Sequence, residues 1–126
     1  MSVFALRGAI TVDTDTPEEI RERTIQLLEQ MFERNNVSRS DVISVFFTST
    51  IDLLSLPPAA AARAFGLTDV ALLCAQEAQV QGGLEKCVRV MLHLNTTKDV
   101  SEFRHVFLRR ATEARPDLAE PGDENF

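Results

Sequence analysis

The stretch from Lys86 to Leu94 alternates between two kinds of side chain, and this alternation constrains the fold more than any other feature of the chain. One set of alternating positions is wholly aliphatic: Val88, Val90, Leu92 and Leu94. A period of two residues is typical of a β-strand with one face on a hydrophobic core. Gly82 and Gly83 precede it and indicate a tight turn. The sequence therefore predicts a turn followed by a half-buried strand.

Arg89 lies in the middle of this strand, in the set opposite the aliphatic one. A guanidinium is costly to bury unless an anion meets it. That anion could be a carboxylate of the chain, Glu77 or Asp52, or it could belong to a ligand. Arg7 also needs an anion, because it interrupts a second apolar strand. For both arginines, the sequence does not decide between a carboxylate of the chain and a ligand.

Taken together, Arg7, Arg89 and Arg115 could form a pocket for a small dianion, with Gln76 and Glu77 at the end of a nearby strand. Arginine suits this task because its planar fork matches a carboxylate at two points. Considered alone, Glu77 is a loop carboxylate in water or a counter-ion for one of the arginines. Alternatively, it has a functional role, as an acceptor for a ligand hydroxyl or as a base.

The remaining elements follow from patterning and end signals. Thr16, Pro17 and Glu19 form a strong helix start, because Thr16 can cap the helix and Glu19 completes a capping box. The predicted elements are a strand over Val3–Ala9, a helix from Thr16 to Asn35-Asn36, a strand over Val42–Thr48, a short helix from Pro57-Pro58 to Gly66, a strand over Val70–Leu73 and a fifth strand over Phe103–Leu108. The segment 42–48 is mostly apolar and shows no sustained alternation, which predicts a strand covered on both faces.

This order predicts an α+β fold, a mixed five-stranded sheet with one long and one short helix on one side. A chain of 126 residues has the size of one domain, which we assign to residues 1–118. The segment 119–126 is polar and lacks periodicity, so we predict a disordered tail.

Charge and composition exclude several classes of partner. The net charge is −6 and no basic run occurs, which argues against nucleic acid and anionic membrane. No apolar run is long enough to span a bilayer, and the first residues lack the pattern of a signal peptide. Two cysteines do not make a disulfide scaffold. We therefore expect a cytoplasmic protein, and a few local arginines still allow a small anionic ligand.

No cofactor or metal is expected from the sequence. Cys74 lies on an apolar strand and reads as a small buried hydrophobe rather than a nucleophile. His93 and His105 read as packing or surface groups, since no carboxylate or cysteine stands at metal-ligand spacing from them. A phosphate loop, a dinucleotide fingerprint and a serine elbow are all missing from the sequence. An enzyme built on this chain would run without a cofactor or a covalent intermediate.

Several short segments, in their order and spacing, resemble the monofunctional chorismate mutases of the trimeric, non-helical type. They extend over most of the chain: Arg7-Gly8-Ala9-Ile10-Thr11-Val12, the Thr16–Glu19 helix start, Gln76-Glu77, Gly82-Gly83-Leu84, Lys86-Cys87-Val88-Arg89-Val90-Met91, Arg104-His105-Val106-Phe107-Leu108 and Arg115-Pro116-Asp117-Leu118. The resemblance implies a pseudo-α/β-barrel homotrimer with active sites in clefts between neighbouring subunits. It also implies an isomerase of the shikimate pathway, which rearranges chorismate to prephenate for phenylalanine and tyrosine synthesis.

By matching position, the resemblance gives roles to individual residues. Arg89 would donate to the ether oxygen and a carboxylate of the substrate, Arg7 would hold a carboxylate, and Glu77 would accept the ring hydroxyl. Other substrate contacts would come from Leu73, Cys74, Ala75, Gln76, Phe107, Pro57 and Ala59, with Arg63 and Arg115 near the mouth of the cleft. The chain departs from the family at Pro57 and Ala60, where Phe and Lys are usual, and at Phe107, where Tyr is usual.

The chemistry of this rearrangement agrees with the residues present. The C–O bond breaks ahead of C–C bond formation, so negative charge grows on the ether oxygen, and a fixed guanidinium binds that charge. The step needs no proton transfer, which agrees with the lack of a convincing acid–base pair. Two alternatives remain open from the sequence: a non-catalytic trimer that binds small anionic metabolites, and an imine or enamine deaminase of similar architecture.

Overall fold

The computed structural model describes all 126 residues and contains one five-stranded sheet with two α-helices packed on the same face of it. The helices and strands are β1 (Ser2–Thr11), α1 (Pro17–Asn35), β2 (Val42–Ser49), α2 (Pro58–Phe65), β3 (Ala71–Gln76), β4 (Cys87–Thr96) and β5 (Val106–Leu108). Short 3₁₀ turns cover Arg39–Asp41, Val100–Glu102, Arg109–Glu113 and Asp123–Asn125. The predicted α+β class, the element order and the mixed sheet are confirmed.

The strand order is β3-β2-β4-β1-β5, so β4 lies at the centre of the sheet. It runs antiparallel to both β1 and β2, while β3 and β5 each pair in parallel at an edge. The aliphatic set of β4 is buried in the main core, as its alternation predicts. The opposite set, which includes Arg89, therefore points to the face of the sheet that carries no helix.

Helix α1 begins and ends where the sequence predicts. The Thr16 side chain accepts a hydrogen bond from the backbone N–H of Glu19 at 3.2 Å, and Asn36 ends the helix in a left-handed conformation. The helix comes so close to β1 that an added Cβ on Gly8 would lie 2.5 Å from Sδ of Met31. Glycine at position 8 thus lets the long helix lie directly on the sheet.

The face of the sheet without helices is only partly covered, and we call it the open face. It carries exposed apolar side chains on three strands: Val3 is 62% exposed, Phe46 36% and Leu73 64%. The sequence predicts a β2 that is covered on both faces, but in this single chain only Val45 and Phe47 are buried. The reason is that both helices pack on the other side.

Strand β5 is shorter than predicted, because Phe103 to His105 make other contacts. The side chain of Asn35 accepts from the backbone N–H of Arg104 at 2.6 Å and donates to its carbonyl at 2.8 Å. Asn35 therefore takes the hydrogen bonds that a longer strand would have used. Only Val106–Leu108 pair with β1.

The tail 119–126, for which the sequence predicts disorder, instead packs on α1 in the structure. Asp123 is buried, and its Oδ1 lies 2.8 Å from Nη2 of Arg34. Phe126 packs at the border of the main core, with the Arg34 guanidinium 5.6 Å from its ring centre. The partner of Asp123 lies 89 residues away in the sequence, so local patterning carries no sign of it.

Candidate active site

Arg89 stands at the centre of the open face and forms an ion pair with Glu77. Nη1 of Arg89 donates to Oε1 of Glu77, and the two side chains are 26% and 18% exposed. Of the two counter-ions that the sequence allows, Glu77 and Asp52, the structure has Glu77. Burial by itself lowers the pKa of Arg89, but the hydrogen bond that Arg89 donates to Glu77 and the negative charge of Glu77 raise that pKa above the ordinary value. Arg89 is therefore a permanent cation.

Strand β2 holds Glu77 in this position. The residue follows directly after β3, and its backbone N–H donates to the Ser49 carbonyl at 2.8 Å, which continues the β2–β3 pairing by one step. The Thr48 hydroxyl donates to Oε2 of Glu77 at 2.7 Å. Thr48 pairs with Arg89 across β2 and β4, so all three side chains share the open face. Thr48 is not among the residues that the sequence predicts for the site. The one feature that could have pointed to it is its position as a polar residue at the end of an apolar strand.

A cavity of about 750 Å³ opens in front of this ion pair. Its walls are Arg89, Glu77, the turn Thr50–Asp52 and the loop 78–85. Only Nη1 of Arg89 has a protein acceptor, so Nε and Nη2 keep their hydrogen-bonding capacity. The pair thus leaves the guanidinium able to bind an anion in the cavity.

Asp52 is not the counter-ion of Arg89; it accepts hydrogen bonds at the start of β4 instead. Its carboxylate accepts from the backbone N–H of Lys86 at 3.0 and 3.1 Å and from the Thr50 hydroxyl. The Thr50 hydroxyl in turn accepts from the N–H of Cys87 at 3.0 Å. These bonds secure the start of β4, where Lys86 has a positive φ of 47°. They therefore help to place Arg89 two residues further on.

Arg7 lies on the neighbouring strand and shares the open face with Arg89, but it does not line the large cavity. Its Nε donates to the Val90 carbonyl at 3.2 Å, and its two Nη atoms have no protein acceptor. The backbone N–H of Arg7 donates to Nδ1 of His105 at 2.9 Å. His105, which the sequence treats as a packing group, thus holds the backbone at Arg7.

The predicted lining residues of β3 divide between the two faces of the sheet. Leu73 and Ala75 share the open face with Glu77, whereas Cys74 points toward α2, where its sulfur accepts from the Ala59 N–H at 3.3 Å. A second cavity of about 280 Å³ lies at this end of α2, and its lining includes Pro57, Cys74, Ala75 and Gln76. Within one chain, this second group of residues does not line the Arg89 cavity.

Three further predicted residues also stand apart from the cavity. Phe107 is only 3% exposed and packs against Ala9, Cys87 and Ala111. Arg63 is exposed on α2 without a protein acceptor, and exposed Arg115 forms an ion pair with Asp117 at 3.0 Å. The structure thus brings Arg89 and Glu77 together at one cavity, with Arg7 one strand away.

No group of three or more His, Cys, Asp or Glu side chains comes together in a way that could hold a metal ion. Neither helix combines the length and the apolar character needed to traverse a lipid bilayer.

Comparison with known proteins agrees with this geometry. The family model described as chorismate mutase type I matches residues 3–118. The chorismate mutase AroH of Bacillus subtilis strain 168 is 42% identical over 120 residues, 94% of each chain. That of Thermus thermophilus is 46% identical over 117 residues, 92% of this chain and 96% of its own.

A solved structure matches as well. A chorismate mutase from Clostridium thermocellum superposes with a TM-score of 0.85 at 47% identity, over 87% of this chain and 98% of its own. The family match and the curated relatives each extend over nearly the whole sequence, including the Arg89 cavity. The chain therefore belongs to the chorismate mutase type I family.

Proposed function

We propose that this chain catalyses the family reaction, the rearrangement of chorismate to prephenate, in the biosynthesis of phenylalanine and tyrosine. The observation that carries the proposal is the Arg89 guanidinium. It lines a cavity of about 750 Å³, Glu77 accepts from its Nη1, and its Nε and Nη2 have no protein acceptor. A dianionic substrate suits such a site even in an acidic protein, because salt screens the acidic side chains that lie far from the site. Neither alternative from the sequence, a non-catalytic binder or a deaminase, has support from the comparisons.

The proposed mechanism is electrostatic. As the C–O bond of chorismate lengthens, negative charge grows on the ether oxygen, and a guanidinium already in place stabilises that charge more than it stabilises the ground state. The cavity would restrict the flexible side chain of the substrate to the reactive conformation. A millionfold acceleration needs about 8 kcal/mol, which one charged donor and this restriction can supply together.

The roles of the other residues follow in the same proposal. Arg7 would bind a substrate carboxylate through its unpaired Nη atoms, and Glu77 would accept the ring hydroxyl of the substrate. Arg63 and Arg115 are exposed and positively charged, which suits them to bind the anionic substrate near the mouth of the cleft.

We further propose that the active unit is a homotrimer with sites between subunits. The open face exposes Val3, Phe46 and Leu73, an apolar surface that a second copy of the chain would bury. The candidate residues also form two separate groups, one at Arg89 and one around Pro57, Cys74 and Gln76. A neighbouring subunit that contributed the second group would complete the site.

A cytoplasmic location is part of the proposal as well. Cys74 and Cys87 are both free thiols in the structure. Free thiols agree with a reducing compartment, in which protein disulfides are rare.

The test is to follow the loss of chorismate absorbance with purified protein, in the wild type, in Arg89→Ala and in the surface control Arg21→Ala. We expect Arg89→Ala to lower kcat by several powers of ten with the circular dichroism spectrum unchanged, and Arg21→Ala to behave as the wild type. A rise in KM alone would make Arg89 a substrate anchor only. Thermal stabilisation by chorismate without turnover would instead establish the non-catalytic binder.

A further inference from the structure

We propose that Thr48 is a positioning residue for catalysis, which sets the orientation of the Glu77 carboxylate and thereby keeps the Arg89 guanidinium available to substrate. The proposal rests on the function proposed above. Its starting point is a chain of two contacts on the open face: the Thr48 hydroxyl donates to Oε2 of Glu77 at 2.7 Å, and Oε1 of Glu77 accepts from Arg89.

The two carboxylate oxygens of Glu77 have different partners. A carboxylate and a guanidinium left to themselves favour two parallel hydrogen bonds. In this site the hydroxyl of Thr48 engages Oε2, so Glu77 meets Arg89 through Oε1 alone. The other two nitrogens of Arg89, Nε and Nη2, consequently keep their donors free beside the cavity.

Thr48 lies in β2, which is paired with a strand on each side. Thr48 pairs directly with Arg89 between β2 and β4 and with Ala75 between β2 and β3. Because strand pairing on both sides fixes the position of Thr48, this residue is a more rigid support for Glu77 than a loop residue would be. A β-branched residue suits this strand, so valine has the right shape for the position and lacks only the hydroxyl.

Loss of the Thr48 hydroxyl would leave Oε2 of Glu77 without its donor. Without a donor at Oε2, the Glu77 carboxylate can rotate and engage Arg89 with both oxygens. Arg89 would then have fewer donors for the developing oxyanion, and Glu77 would be turned away from the substrate hydroxyl. We expect the loss to affect kcat more than KM, because it removes charge stabilisation that matters most in the transition state.

The experiment compares Thr48→Val and Thr48→Ala, which lack the hydroxyl, with Thr48→Ser, which retains it. One hydrogen bond to a charged group corresponds to roughly 10- to 100-fold in rate, so we expect kcat to fall by that factor in the first two variants. Thr48→Ser should stay within about threefold of the wild type. Melting temperatures and circular dichroism of all three report folding separately from activity.

A double-mutant cycle separates positioning from a general structural effect. In a Glu77→Gln background, Thr48→Val should cost much less than in the wild type, because the carboxylate that Thr48 orients is no longer there. Full additivity of the two changes, or wild-type kcat in a folded Thr48→Val, would overturn the proposal. So would a Thr48→Ser variant as impaired as Thr48→Val. Lack of turnover by the wild type would instead refute the proposed function, so the two failures are distinguishable.

Discussion

Arg34, in the last turn of α1, forms an ion pair with Asp123 that holds the C-terminal tail against this helix. Nη2 of Arg34 lies 2.8 Å from Oδ1 of Asp123, and the Asp123 side chain is only 2% exposed. The second oxygen of Asp123 accepts from the Glu120 backbone N–H at 2.8 Å, and Glu120 itself pairs with Arg34 at 3.1 Å. The tail is therefore held by a small network of charges rather than by apolar packing alone.

Replacing Asp123 with alanine should release this tail from α1. Removing one partner of a buried, hydrogen-bonded pair typically costs about 1–3 kcal/mol, so we expect the free energy of unfolding in urea to fall by that amount. The matched control is Asp117→Ala, because the Asp117–Arg115 pair is exposed on both sides. Unchanged amide hydrogen exchange over residues 119–126 in Asp123→Ala would show that the pair does not hold the tail.

Replacing Gly8 with alanine should strain the contact between β1 and α1. A Cβ at this position would come within 2.5 Å of Met31 Sδ and 3.2 Å of Leu27 Cδ1. Both atoms belong to flexible side chains, so we expect a loss of about 1–2 kcal/mol in thermal denaturation rather than complete unfolding. The double variant Gly8→Ala/Met31→Ala relieves the Met31 overlap, and its loss should be smaller than the sum of the two single losses. Strict additivity would contradict the packing argument.

His105 should make stability depend on pH in the weakly acidic range. Burial, and then the positive charges of Arg7 and Arg115, lower the pKa of His105 below its ordinary value of 6.5. The unfolded chain therefore takes up a proton at a higher pH than the folded chain does, and stability falls as pH drops below about 6.5.

The check is chemical denaturation between pH 8 and pH 5 in the wild type and in His105→Asn. Asparagine offers an amide oxygen that can still accept from the Arg7 N–H, which the wild type bonds through Nδ1. It does not titrate, so we expect a flatter pH dependence in the variant. Identical slopes in the two proteins would assign the acid loss to other groups.

Cys87 should make the fold sensitive to alkali. Burial raises the pKa of its thiol to about 11, from 9.0. The unfolded chain loses this proton at a lower pH than the folded chain, so stability contributed by the buried thiol falls as pH rises from about 9 toward 11. Cys87→Ala should lose less stability than the wild type over that range. A thiol reagent that labels Cys87 in the folded protein at neutral pH would contradict its burial.

Replacing Phe46 with glutamate should separate the subunits of the proposed trimer. Phe46 lies on the open face, and a carboxylate placed there would oppose burial against another copy. We expect light scattering to show a shift from trimer to monomer, while Val100→Glu, at an exposed residue of a 3₁₀ turn, keeps the trimer. A wild-type protein that is monomeric at the assay concentration would refute the trimer outright.

Local patterning determined much of the fold. The aliphatic alternation over 88–94 predicts the buried face of β4, because neighbouring residues in a strand point to opposite sides whatever the partner strand is. The cap at Thr16 predicts the start of α1 for a similar reason, since its hydrogen bond joins residues only three apart. The same patterning singled out Arg89 as an arginine that needs an anion.

Only the tertiary structure decided which anion meets Arg89 and how that anion is held. Glu77 rather than Asp52 reaches the guanidinium because β2 lies between β3 and β4 in a particular register, which also places the Thr48 hydroxyl on Glu77. The packed tail is a second case, because the charge that holds Asp123 comes from a distant helix. Contacts of this kind depend on strand order, register and docking between distant segments, and no local period in the sequence records them.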